Sequence, residues 1–500
     1  MGHGSMSDHA VEMRNVTKEF SDASAMKGIS LSFEKGRSHA LLGGVGAGKT
    51  AALRLLSGLE KPDQGQISVK GKIGLIDRAF FRGKGMTLLE RMMLYCPGVS
   101  KKSLRDRARA RCGAWGLSLD VDAAPAALSN AGRREAALLA LDCANRDILV
   151  LDELFSPAEY RMDADFRSLL KKITAEGKTV IYSARTPWEA LCADTCAVIR
   201  AGEITPFVSL RDLDGEAWAQ EMQAEIGIPA PRRRDIALGG AALTAREISV
   251  KGQGKRLMVR RASFEVRTGE ILCVAGLPGS GAEELCDALT GQKPLLEGKL
   301  TLMGENAGGL GVRERMELGL GYVPDPRRNR GWALDGTAEE NLLLRRYREG
   351  RFQDGGLMKK NAISAWIEEA VLNGVIPTGR ATFRGLTPAQ RRRAAFLRET
   401  EREPRLLIVE NPIQGVDGET AAFLWDRLMA FRNGRGAVIL FSADWAEIRA
   451  LADRLLVIRN GEIVAETEVP YMTPLELDVY LQGDQRQPRF GGDAWEDLEE

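Results

Sequence analysis

The feature that most constrains this chain is a long internal repeat. The string AVIRAGEI at residues 197–204 returns as LVIRNGEI at residues 456–463, an offset of 456 − 197 = 259. The strings ALSNAGRRE, ILVLDE and VIYSAR also return in altered form, as GLTPAQRRR, LLIVEN and VILFSA, at offsets of 258 or 259 residues. Unrelated segments would not keep a common register, so the chain consists of one folding unit written twice.

The two copies differ in length towards their amino ends. LLGGVGAGKT pairs with VAGLPGSGAE at an offset of only 276 − 43 = 233, so the second copy holds 258 − 233 = 25 more residues between these landmarks. Residues 227–243 are rich in Pro, Gly and charge, as connectors are. We therefore predict a first copy at 9–226, a linker at 227–243, a second copy at 244–485 and a solvated acidic tail at 486–500.

Within each copy, short apolar runs such as ILVLDE and AVILF alternate with helix-like stretches such as TAALRLLSGL and AAFLWDRLMAF. Apolar runs without polar alternation are typical of parallel strands that are buried on both faces of a sheet. Each copy is therefore predicted to be an α/β domain built on a mainly parallel sheet.

Composition excludes several classes of protein. Lys and Arg number 70 against 69 Asp and Glu, a net charge of +1, whereas a protein that depends on nucleic acid usually carries a basic excess. No apolar run approaches the roughly 18 residues of a membrane span, so any membrane role is predicted to be peripheral. The seven cysteines, an odd number without a CxxC pair, indicate neither a disulfide framework nor a zinc site, and they favour a reducing cytosol.

The first copy contains a complete motif for a nucleotide-binding loop. Residues 43–50 read GGVGAGKT, a complete GxxxxGK[ST] motif between an apolar run and a helix-like stretch. In this motif the backbone N–H groups face the phosphates, Lys49 reaches the β and γ oxygens, and Thr50 binds Mg²⁺. The predicted nucleotide-binding residues of the loop are Gly43, Gly44, Val45, Gly46, Ala47, Gly48, Lys49 and Thr50.

A pair of acids follows an apolar run about a hundred residues later. The run DILVLDE ends in Asp152 and Glu153. Two acids after a strand are by themselves most often a solvated strand end, but behind a phosphate-binding loop they favour function. We predict that Asp152 holds Mg²⁺ through water and that Glu153 is the catalytic residue that polarises the attacking water.

This combination resembles the ATP-binding-cassette family, over residues 11–466. It is similar to the tandem ATPase subunits of bacterial importers for simple sugars and nucleosides, and residues 319–344 and 406–417 look like the nucleoside branch. The resemblance implies two cassettes, each with a mainly parallel sheet core and a helical subdomain, that pair head to tail. It implies that each nucleotide lies between one phosphate-binding loop and the opposite signature segment.

The same resemblance implies partners and a location. Two integral-membrane permease subunits and an extracytoplasmic solute-binding protein are expected, with the chain at the cytoplasmic face of the inner membrane and touching the membrane through the permeases. The cargo stays open between a nucleoside, a simple sugar and a vitamin such as riboflavin.

Both copies depart from the family pattern. Where the signature LSGGQ is expected, residues 128–132 read LSNAG, and the second copy has Leu386, Thr387, Pro388, Ala389 and Gln390. Pro388 lacks the N–H that a signature glycine offers to the γ-phosphate. Arg78 aligns with the glutamine that would contact Mg²⁺, and Ala184 with the switch histidine. Phe20 lies where the family stacks an aromatic ring on adenine, although a lone Phe is as often a core residue.

The second copy departs further. Ala282 stands in the lysine position, Glu283 in the hydroxyl position, and Glu410 and Asn411 in the two acid positions. A carboxylate facing a triphosphate without a lysine is repelled, so ATP and Mg²⁺ are predicted at the first copy only.

Three functions follow from these patterns. The first is the energy-coupling subunit of an importer, with weak ATPase activity. The second is a pseudo-ATPase that binds ATP and scaffolds or regulates the permease without significant hydrolysis. The third, a soluble tandem ATPase acting on ribosomes, is disfavoured because the connector is short and the active residues are eroded.

Overall fold

The computed structural model describes residues 8–18, 26–44, 46–81, 85–125, 128, 130–154, 163–200, 202–211, 213–252, 256–325, 328 and 330–483. The predicted tail, residues 486–500, lies outside these residues. The chain divides into two compact units. The first comprises residues 1–230, 385–393 and 413–424, and the second comprises residues 231–384, 394–412 and 425–500.

The first copy alternates strands and helices along the chain. Its strands are β1 (His9–Lys18), β2 (Met26–Glu34), β3 (Ser38–Leu42), β4 (Gln64–Val69), β5 (Ile73–Ile76), β6 (Ile148–Leu151), β7 (Thr179–Ala184), β8 (Thr195–Arg200), β9 (Glu203–Ile204) and β10 (Val208–Ser209). Its helices are α1 (Lys49–Leu56), α2 (Leu88–Met93), α3 (Lys101–Trp115), α4 (Asn130–Cys143), α5 (Ala164–Ala175), α6 (Pro187–Ala190) and α7 (Gly215–Ile226). A 3₁₀ turn covers Arg78–Phe81.

The central sheet of the first copy has the strand order β10-β8-β3-β7-β6-β5, with β9 also paired to β8. Strands β5, β6, β7, β3 and β8 run parallel, while β9 and β10 pair antiparallel with β8. Every residue of β3, β6 and β7 is buried, which explains their unbroken apolar sequences. A separate antiparallel sheet has the order β2-β1-β4.

Helices α2, α3 and α4 form the helical part of the first copy. Their buried faces include Leu88, Leu104 and Leu138, which belong to the same hydrophobic cluster as the sheet residues Leu42 and Leu151. Packing on one face, at helical spacing, stabilises these short helices more than their intrinsic propensities do.

The second copy repeats this plan. Its strands are β11 (Ala241–Lys251), β12 (Leu257–Arg267), β13 (Ile271–Ala275), β14 (Glu297–Leu302), β15 (Glu305–Asn306), β16 (Leu320–Val323), β17 (Gln353–Asp354), β18 (Leu357–Met358), β19 (Leu406–Glu410), β20 (Ala437–Phe441), β21 (Arg454–Arg459) and β22 (Glu462–Glu468). Its helices are α8 (Ala282–Leu289), α9 (Val312–Glu317), α10 (Ala338–Leu343), α11 (Lys360–Leu372), α12 (Pro388–Thr400), α13 (Gly418–Asn433), α14 (Trp445–Leu451) and α15 (Pro474–Gln482). Short 3₁₀ turns cover Phe383–Gly385 and Val469–Tyr471.

The central sheet of the second copy has the order β16-β19-β20-β13-β21-β22, which matches β5-β6-β7-β3-β8-β9 strand for strand. In this sheet β16, β19, β20, β13 and β21 run parallel, and β22 is antiparallel to β21. The predicted fold class, two tandem α/β domains on mainly parallel sheets, is confirmed. None of the helices in the described part of the chain has the length and apolar character needed to cross a membrane.

The copies differ most between the antiparallel sheet and the next central strand. In the second copy, β14 ends at Leu302 and β16 begins at Leu320, and the segment between them includes β15 and α9. In the first copy, β4 ends at Val69 and β5 begins at Ile73, which leaves three residues. The shorter connection accounts for part of the unequal spacing of the repeat.

Candidate nucleotide-binding site

The phosphate-binding loop of the first copy connects the buried strand β3 to helix α1. Gly46 has φ +73° and Gly48, the N-cap of α1, has φ +103°, a region that favours glycine. An added Cβ on Gly43 would lie 2.5 Å from the carbonyl oxygen of Ile199. The glycines therefore meet both a conformational and a steric demand, and α1 presents its unpaired N–H groups to the loop.

The side chain of Lys49 folds back onto this loop. Its Nζ donates to the carbonyl oxygens of Gly43 at 2.6 Å and Gly44 at 2.7 Å, and its side chain is buried. Burial and, next, the charge of Arg185 lower the pKa of Lys49 to about 8. An anion bound in the loop would offset both effects, so the lysine is placed to favour a phosphate.

Asp152 lies at the end of β6, beside the start of α1. It is 3% exposed, and burial raises the pKa of its carboxyl, while hydrogen bonding to the hydroxyls of Ser183 and Thr50 opposes that rise. Its Oδ1 is buried without a hydrogen-bond partner among the described residues. A buried carboxylate oxygen left unpaired beside a threonine hydroxyl is the donor set that Mg²⁺ prefers, so these residues fit the ion.

Glu153 follows Asp152 and is exposed. Its φ is +53°, unusual for a residue with a side chain, and its N–H donates to Ser183 Oγ at 2.8 Å. Because Ser183 also bonds Asp152, this one hydroxyl fixes the turn that carries both acids. Asn411, at the matching position, has φ +42°, so the second copy keeps the same backbone turn.

Of the other residues named for the first site, Ala184 and Arg78 lie in the described part of the chain and Val45 and Phe20 do not. The carbonyl oxygen of Ala184 accepts the N–H of Gly43 at 3.3 Å, which puts the switch position directly beside the loop. Arg78 begins the 3₁₀ turn that follows β5. Val45 and Phe20 lie outside the described residues.

The signature segment of the second copy belongs to the same compact unit as the first phosphate-binding loop, because residues 385–393 fall in the first unit. Thr387 Oγ1 accepts the N–H of Gln390 at 3.1 Å, and Gln390 Oε1 accepts the N–H of Thr387 at 3.0 Å. With Pro388 at the first helical position, this is a capping box at the start of α12. Leu386 is buried, and Ala389 lies within the first turn.

A second segment of that unit lies against the loop itself. Residues 413–424 also fall in the first unit, and an added Cβ on Gly46 would lie 2.6 Å from Cα of Asp417. Glycine is therefore needed at Gly46 for space as well as for its positive φ. Asp417 is not among the residues predicted for the site.

The corresponding loop of the second copy has the same backbone but a different lining. Gly281, the N-cap of α8, has φ +106°, as Gly48 has +103° in the first copy. An added Cβ on Gly281 would collide with the carbonyl of Met258. Ala282, in the lysine position, is 9% exposed. The loop therefore has no counterpart of Lys49.

A cation from elsewhere in the second copy replaces it. Arg328 Nη1 lies 2.6 Å from Asp287 Oδ1 and 3.3 Å from Glu410 Oε1, and its Nη2 lies 3.1 Å from Glu283 Oε2. Burial lowers the pKa of Arg328, but the carboxylates of Glu410 and Asp287 raise it more, so it lies above its ordinary value. The guanidinium thus binds the carboxylates that occupy the hydroxyl and metal positions.

Further bonds complete this cluster. Tyr322 donates its hydroxyl to Glu410 Oε2 at 2.5 Å, and the N–H of Asp325 donates to the same oxygen at 3.1 Å. Arg330 lies 2.7 Å from Asp287. Asn411 donates to Asp325 Oδ2 at 2.7 Å. Carboxylates satisfied in this way by protein donors have little capacity left for a metal ion.

Comparison with known proteins agrees with this geometry. A family profile described as ABC transporter matches residues 26–156. The guanosine import ATP-binding protein NupO of Bacillus subtilis is 29% identical over 95% of this chain and 98% of its own length. The nucleoside import ATP-binding protein NupA of Lactococcus lactis is 28% identical over the same shares.

The chain is similar over nearly its whole length to import ATP-binding proteins of this family, and its two copies are called cassettes below. A more distant relative, the ribose import ATP-binding protein RbsA 3 of Rubrobacter xylanophilus, is 27% identical over 92% of this chain and 95% of its own length. Among solved structures, the cassette MJ0796 in a dimeric post-hydrolysis state with ADP and Pi is 16% identical, with a TM-score of 0.39, and covers 45% of this chain and 98% of that one.

Sequence reasoning missed several residues of these two cassettes. Ser183 could have been noticed, since it directly precedes the switch position Ala184. Arg185 follows that position, and its charge acts on Lys49. Arg328 left only an indirect signal: carboxylates at Glu283 and Glu410 without a lysine require a cation from elsewhere.

Proposed function

We propose that this chain is the ATP-binding, energy-coupling subunit of a bacterial importer for a nucleoside, a simple sugar or a related small solute, with MgATP bound at the first cassette only. The observation that carries the proposal is the contrast between the two loops. Lys49, Thr50 and the unpaired oxygen of Asp152 suit an anion with a metal ion, whereas Arg328 already satisfies the matching carboxylates of the second cassette.

Binding follows from the residues of the first loop. Lys49 exchanges its bonds to Gly43 and Gly44 for phosphate oxygens, and the N–H groups at the start of α1 add further donors. Thr50 and Asp152 would hold Mg²⁺, which when bound neutralises phosphate charge. Each of these contacts is charge-assisted, so the loss of one is expected to cost about 1.5 to 3 kcal/mol.

Hydrolysis would rest on Glu153. The turn fixed by Ser183 leaves its carboxylate exposed, one residue beyond the metal position, where it can orient water and accept its proton. Ala184 offers no side chain that could stabilise the transition state, so a slow ATPase is expected. Loss of one preorganised donor commonly reduces turnover by about 10² to 10³.

The partners we propose are two permease subunits in the membrane and an extracytoplasmic solute-binding protein. The chain would dock on the permeases at the cytoplasmic face of the membrane. Support comes from the relatives named for guanosine, nucleoside and ribose import, which this chain matches over more than nine-tenths of its length. Those names differ in cargo, so a nucleoside or a simple sugar is proposed and no single solute.

A specific observation favours a second candidate, a pseudo-ATPase that binds ATP and scaffolds the permease. Thr387 and Gln390 bond each other in a helix cap, and Pro388 has no N–H, so the signature segment has few groups left for a γ-phosphate. In that case bound ATP would shift the balance of open and closed states by its differential affinity alone.

Phosphate release separates the two candidates. The chain is purified with its permeases, placed in liposomes with the solute-binding protein and solute, and assayed for release of phosphate and retention of labelled ATP. We expect Glu153→Gln to lower release about 100-fold with ATP still bound, since Lys49, Thr50 and Asp152 are unchanged. Asn411→Gly, at the matching position of the second cassette, is the control and should leave release unchanged.

If the unaltered complex releases no phosphate above the Glu153→Gln background, the motor is excluded and the pseudo-ATPase is supported. If Asn411→Gly abolishes release as fully as Glu153→Gln does, the assignment of a single active cassette is wrong.

A further inference from the structure

The first cassette has one residue more than the second between the switch position and the helix that follows. Ala184 corresponds to Ala443 at the offset 443 − 184 = 259. The next helices, α6 and α14, have the N-caps Thr186 and Asp444, which differ by only 444 − 186 = 258. The extra residue is Arg185. We propose that Arg185 contacts the terminal phosphate of a bound nucleoside triphosphate and makes the first cassette prefer a triphosphate to a diphosphate. The inference rests on the proposed function, because it concerns the same nucleotide site.

The strand that leads into Arg185 lies between the two halves of this site. Strand β7 pairs with β3, which leads into the phosphate-binding loop, and with β6, which leads into Asp152 and Glu153. Leu42, the residue before the loop, is opposite Ala184. Parallel strands present their carboxyl ends at one edge of a sheet, where ligands of α/β proteins bind. A terminal phosphate that is held by the loop on one side and by the metal ion and water on the other would therefore lie next to Arg185.

Hydrogen bonds hold the backbone on both sides of Arg185. Before it, the carbonyl oxygen of Ala184 accepts the N–H of Gly43 at 3.3 Å. The N–H of Arg185 itself donates to Glu189 Oε2 at 2.6 Å, and that of Thr186 donates to the same oxygen at 3.4 Å. Glu189 is 2% exposed and closes a capping box with Thr186 at the start of α6. The peptide that carries the arginine is therefore tied both to the phosphate-binding loop and to a buried helix cap.

The charge of this arginine acts on the cation of the loop. Among the charges that shift the pKa of Lys49, that of Arg185 has the largest effect, and it lowers the pKa. The carboxylates of Glu189, Asp152 and Glu153 act in the opposite sense. Because such effects weaken with distance, both cations belong to the same loop region. Two cations in one region repel each other, and a polyphosphate with charged oxygens for both relieves that repulsion.

The two cations suit different parts of a triphosphate. The loop and Lys49 hold the β-phosphate of either nucleotide, so a diphosphate stops short of the position we assign to Arg185. A terminal phosphate has three free oxygens, and a planar guanidinium can donate to two of them at once. Loss of Arg185 should therefore weaken the binding of a triphosphate more than that of a diphosphate.

The second cassette has an acid directly after its switch position. Asp444 follows Ala443, and its Oδ1 accepts two N–H groups of the first turn of α14, at 3.0 and 3.4 Å. A carboxylate at this place would repel a terminal phosphate instead of binding it. The extra arginine thus belongs to the cassette that keeps Lys49, and the cassette without that lysine has an acidic cap.

Nucleotide preference tests the proposal. The probes are ADP and adenylyl imidodiphosphate, a triphosphate analogue that resists hydrolysis, each added with Mg²⁺ to the purified full chain in a titration calorimeter. We expect Arg185→Gln to lower the affinity for the triphosphate at least tenfold, about 1.4 kcal/mol, and that for ADP less than about twofold. Arg211→Gln is the matched control, because Arg211 pairs with Asp194 at 2.8 Å beside the amino end of β3. It should change neither affinity.

Two further variants separate phosphate contact from support of the fold. Arg185→Lys keeps the charge without the paired donors, so its preference for the triphosphate should lie between those of the parent and Arg185→Gln. Deletion of Arg185 gives the first cassette the loop length that the second one has, and it should lower triphosphate affinity as much as Arg185→Gln does. An arginine that only supports the fold would instead lower both affinities and the unfolding temperature together, which would overturn the proposal.

The outcomes distinguish this inference from the proposed function. If the parent binds both nucleotides and Arg185→Gln weakens them equally, or weakens neither, the contact with the terminal phosphate is wrong and the proposed function stands. If the parent binds neither nucleotide up to about 1 mM, the proposed function and the inference are both overturned.

Discussion

The two phosphate-binding loops share a backbone and differ in where their positive charge comes from. Gly48 and Gly281 cap their helices at φ +103° and +106°, and Glu153 and Asn411 sit in left-handed turns of φ +53° and +42°. In the first cassette the cation is Lys49, bonded to the carbonyls of its own loop. In the second it is Arg328, which arrives from a distant segment and pairs with carboxylates.

This difference shows how the charges that line a loop can change while its fold is kept. The strand-loop-helix unit is stabilised by buried strands and glycine turns, which both copies retain. The chemistry depends on a few side chains whose charges must balance when no ligand is present. In the second cassette that balance is internal, because Glu283, Asp287 and Glu410 have Arg328 and Arg330 as partners.

The largest expected effect comes from removing the charge of Arg328, which balances the carboxylates of the second cassette. Arg328→Gln leaves the buried carboxylates of Asp287 and Glu410 without their shared cation, and we expect the free energy of unfolding of the second copy to fall by about 3 kcal/mol. Urea unfolding, with hydrogen exchange in β13 and β19 to assign the transition, measures the change. The control is Arg313→Gln, since Arg313 pairs with Glu317 at the surface and should contribute less than about 0.5 kcal/mol.

A loss below about 1 kcal/mol for Arg328→Gln would contradict the assigned role, and would mean that Arg330 alone neutralises the cluster.

The next effect concerns nucleotide binding. Lys49→Ala removes the loop cation, and we expect ATP affinity to fall at least 100-fold, about 2.7 kcal/mol. Isothermal titration calorimetry gives both affinity and stoichiometry. Ala282→Ser, at the matching position of the second cassette, should change neither. A stoichiometry of two tight ATP per chain would contradict the contrast between the cassettes.

Much of the fold could be predicted because the constant offsets of the repeat show which strands of the two copies correspond. The offset of 259 places β8 and β21 in correspondence, and the offset of 233 does the same for β3 and β13. Both sheets then show one strand order. Local patterns were sufficient here, since strands that are buried on both faces have sequences that are apolar throughout.

The site was less predictable where its contacts are remote in sequence. Arg328 lies 45 residues from Glu283 and still further from Glu410, and no spacing rule joins them. Thr387 and Gln390 are different, because a Thr followed three residues later by Gln with Pro between them is a local capping signal. The family resemblance predicts a signature segment at the same residues, and the cap occupies them instead.

The third effect is the pH dependence of ATP affinity, which is expected to follow the protonation of Lys49. Its pKa of about 8 in the free protein means that, above pH 8, ATP binding must first protonate the lysine. We expect affinity to fall about fivefold between pH 8 and pH 9, beyond the range in which phosphate itself titrates. Titration calorimetry in buffers of different ionisation enthalpy would detect the proton taken up. Lys49→Arg, which stays charged, should lose this dependence, and equal pH profiles for both proteins would show that Lys49 is charged throughout.

The smallest effect concerns stability in acid and compares His39 with its counterpart Leu272, at the offset 272 − 39 = 233. Burial lowers the pKa of His39 to about 4, although its Nε2 donates to Glu34 O at 2.8 Å and its Nδ1 lies 2.8 Å from Thr195 Oγ1. Because the unfolded chain binds the proton near pH 6.5 and the folded chain does not, stability is lost as pH falls through this window.

From pH 6.5 to 5.5 the loss from this one group should be about 1 kcal/mol. Urea titrations of the full chain, with hydrogen exchange in β3 and β13 to separate the copies, measure it. His39→Leu gives the first copy the residue of the second, so its stability should be lower at neutral pH, where the bonds to Thr195 and Glu34 are lost, but should fall less steeply in acid. If the parent and His39→Leu lose stability in parallel, the histidine is protonated in the folded protein and its burial does not set the acid response of the first copy.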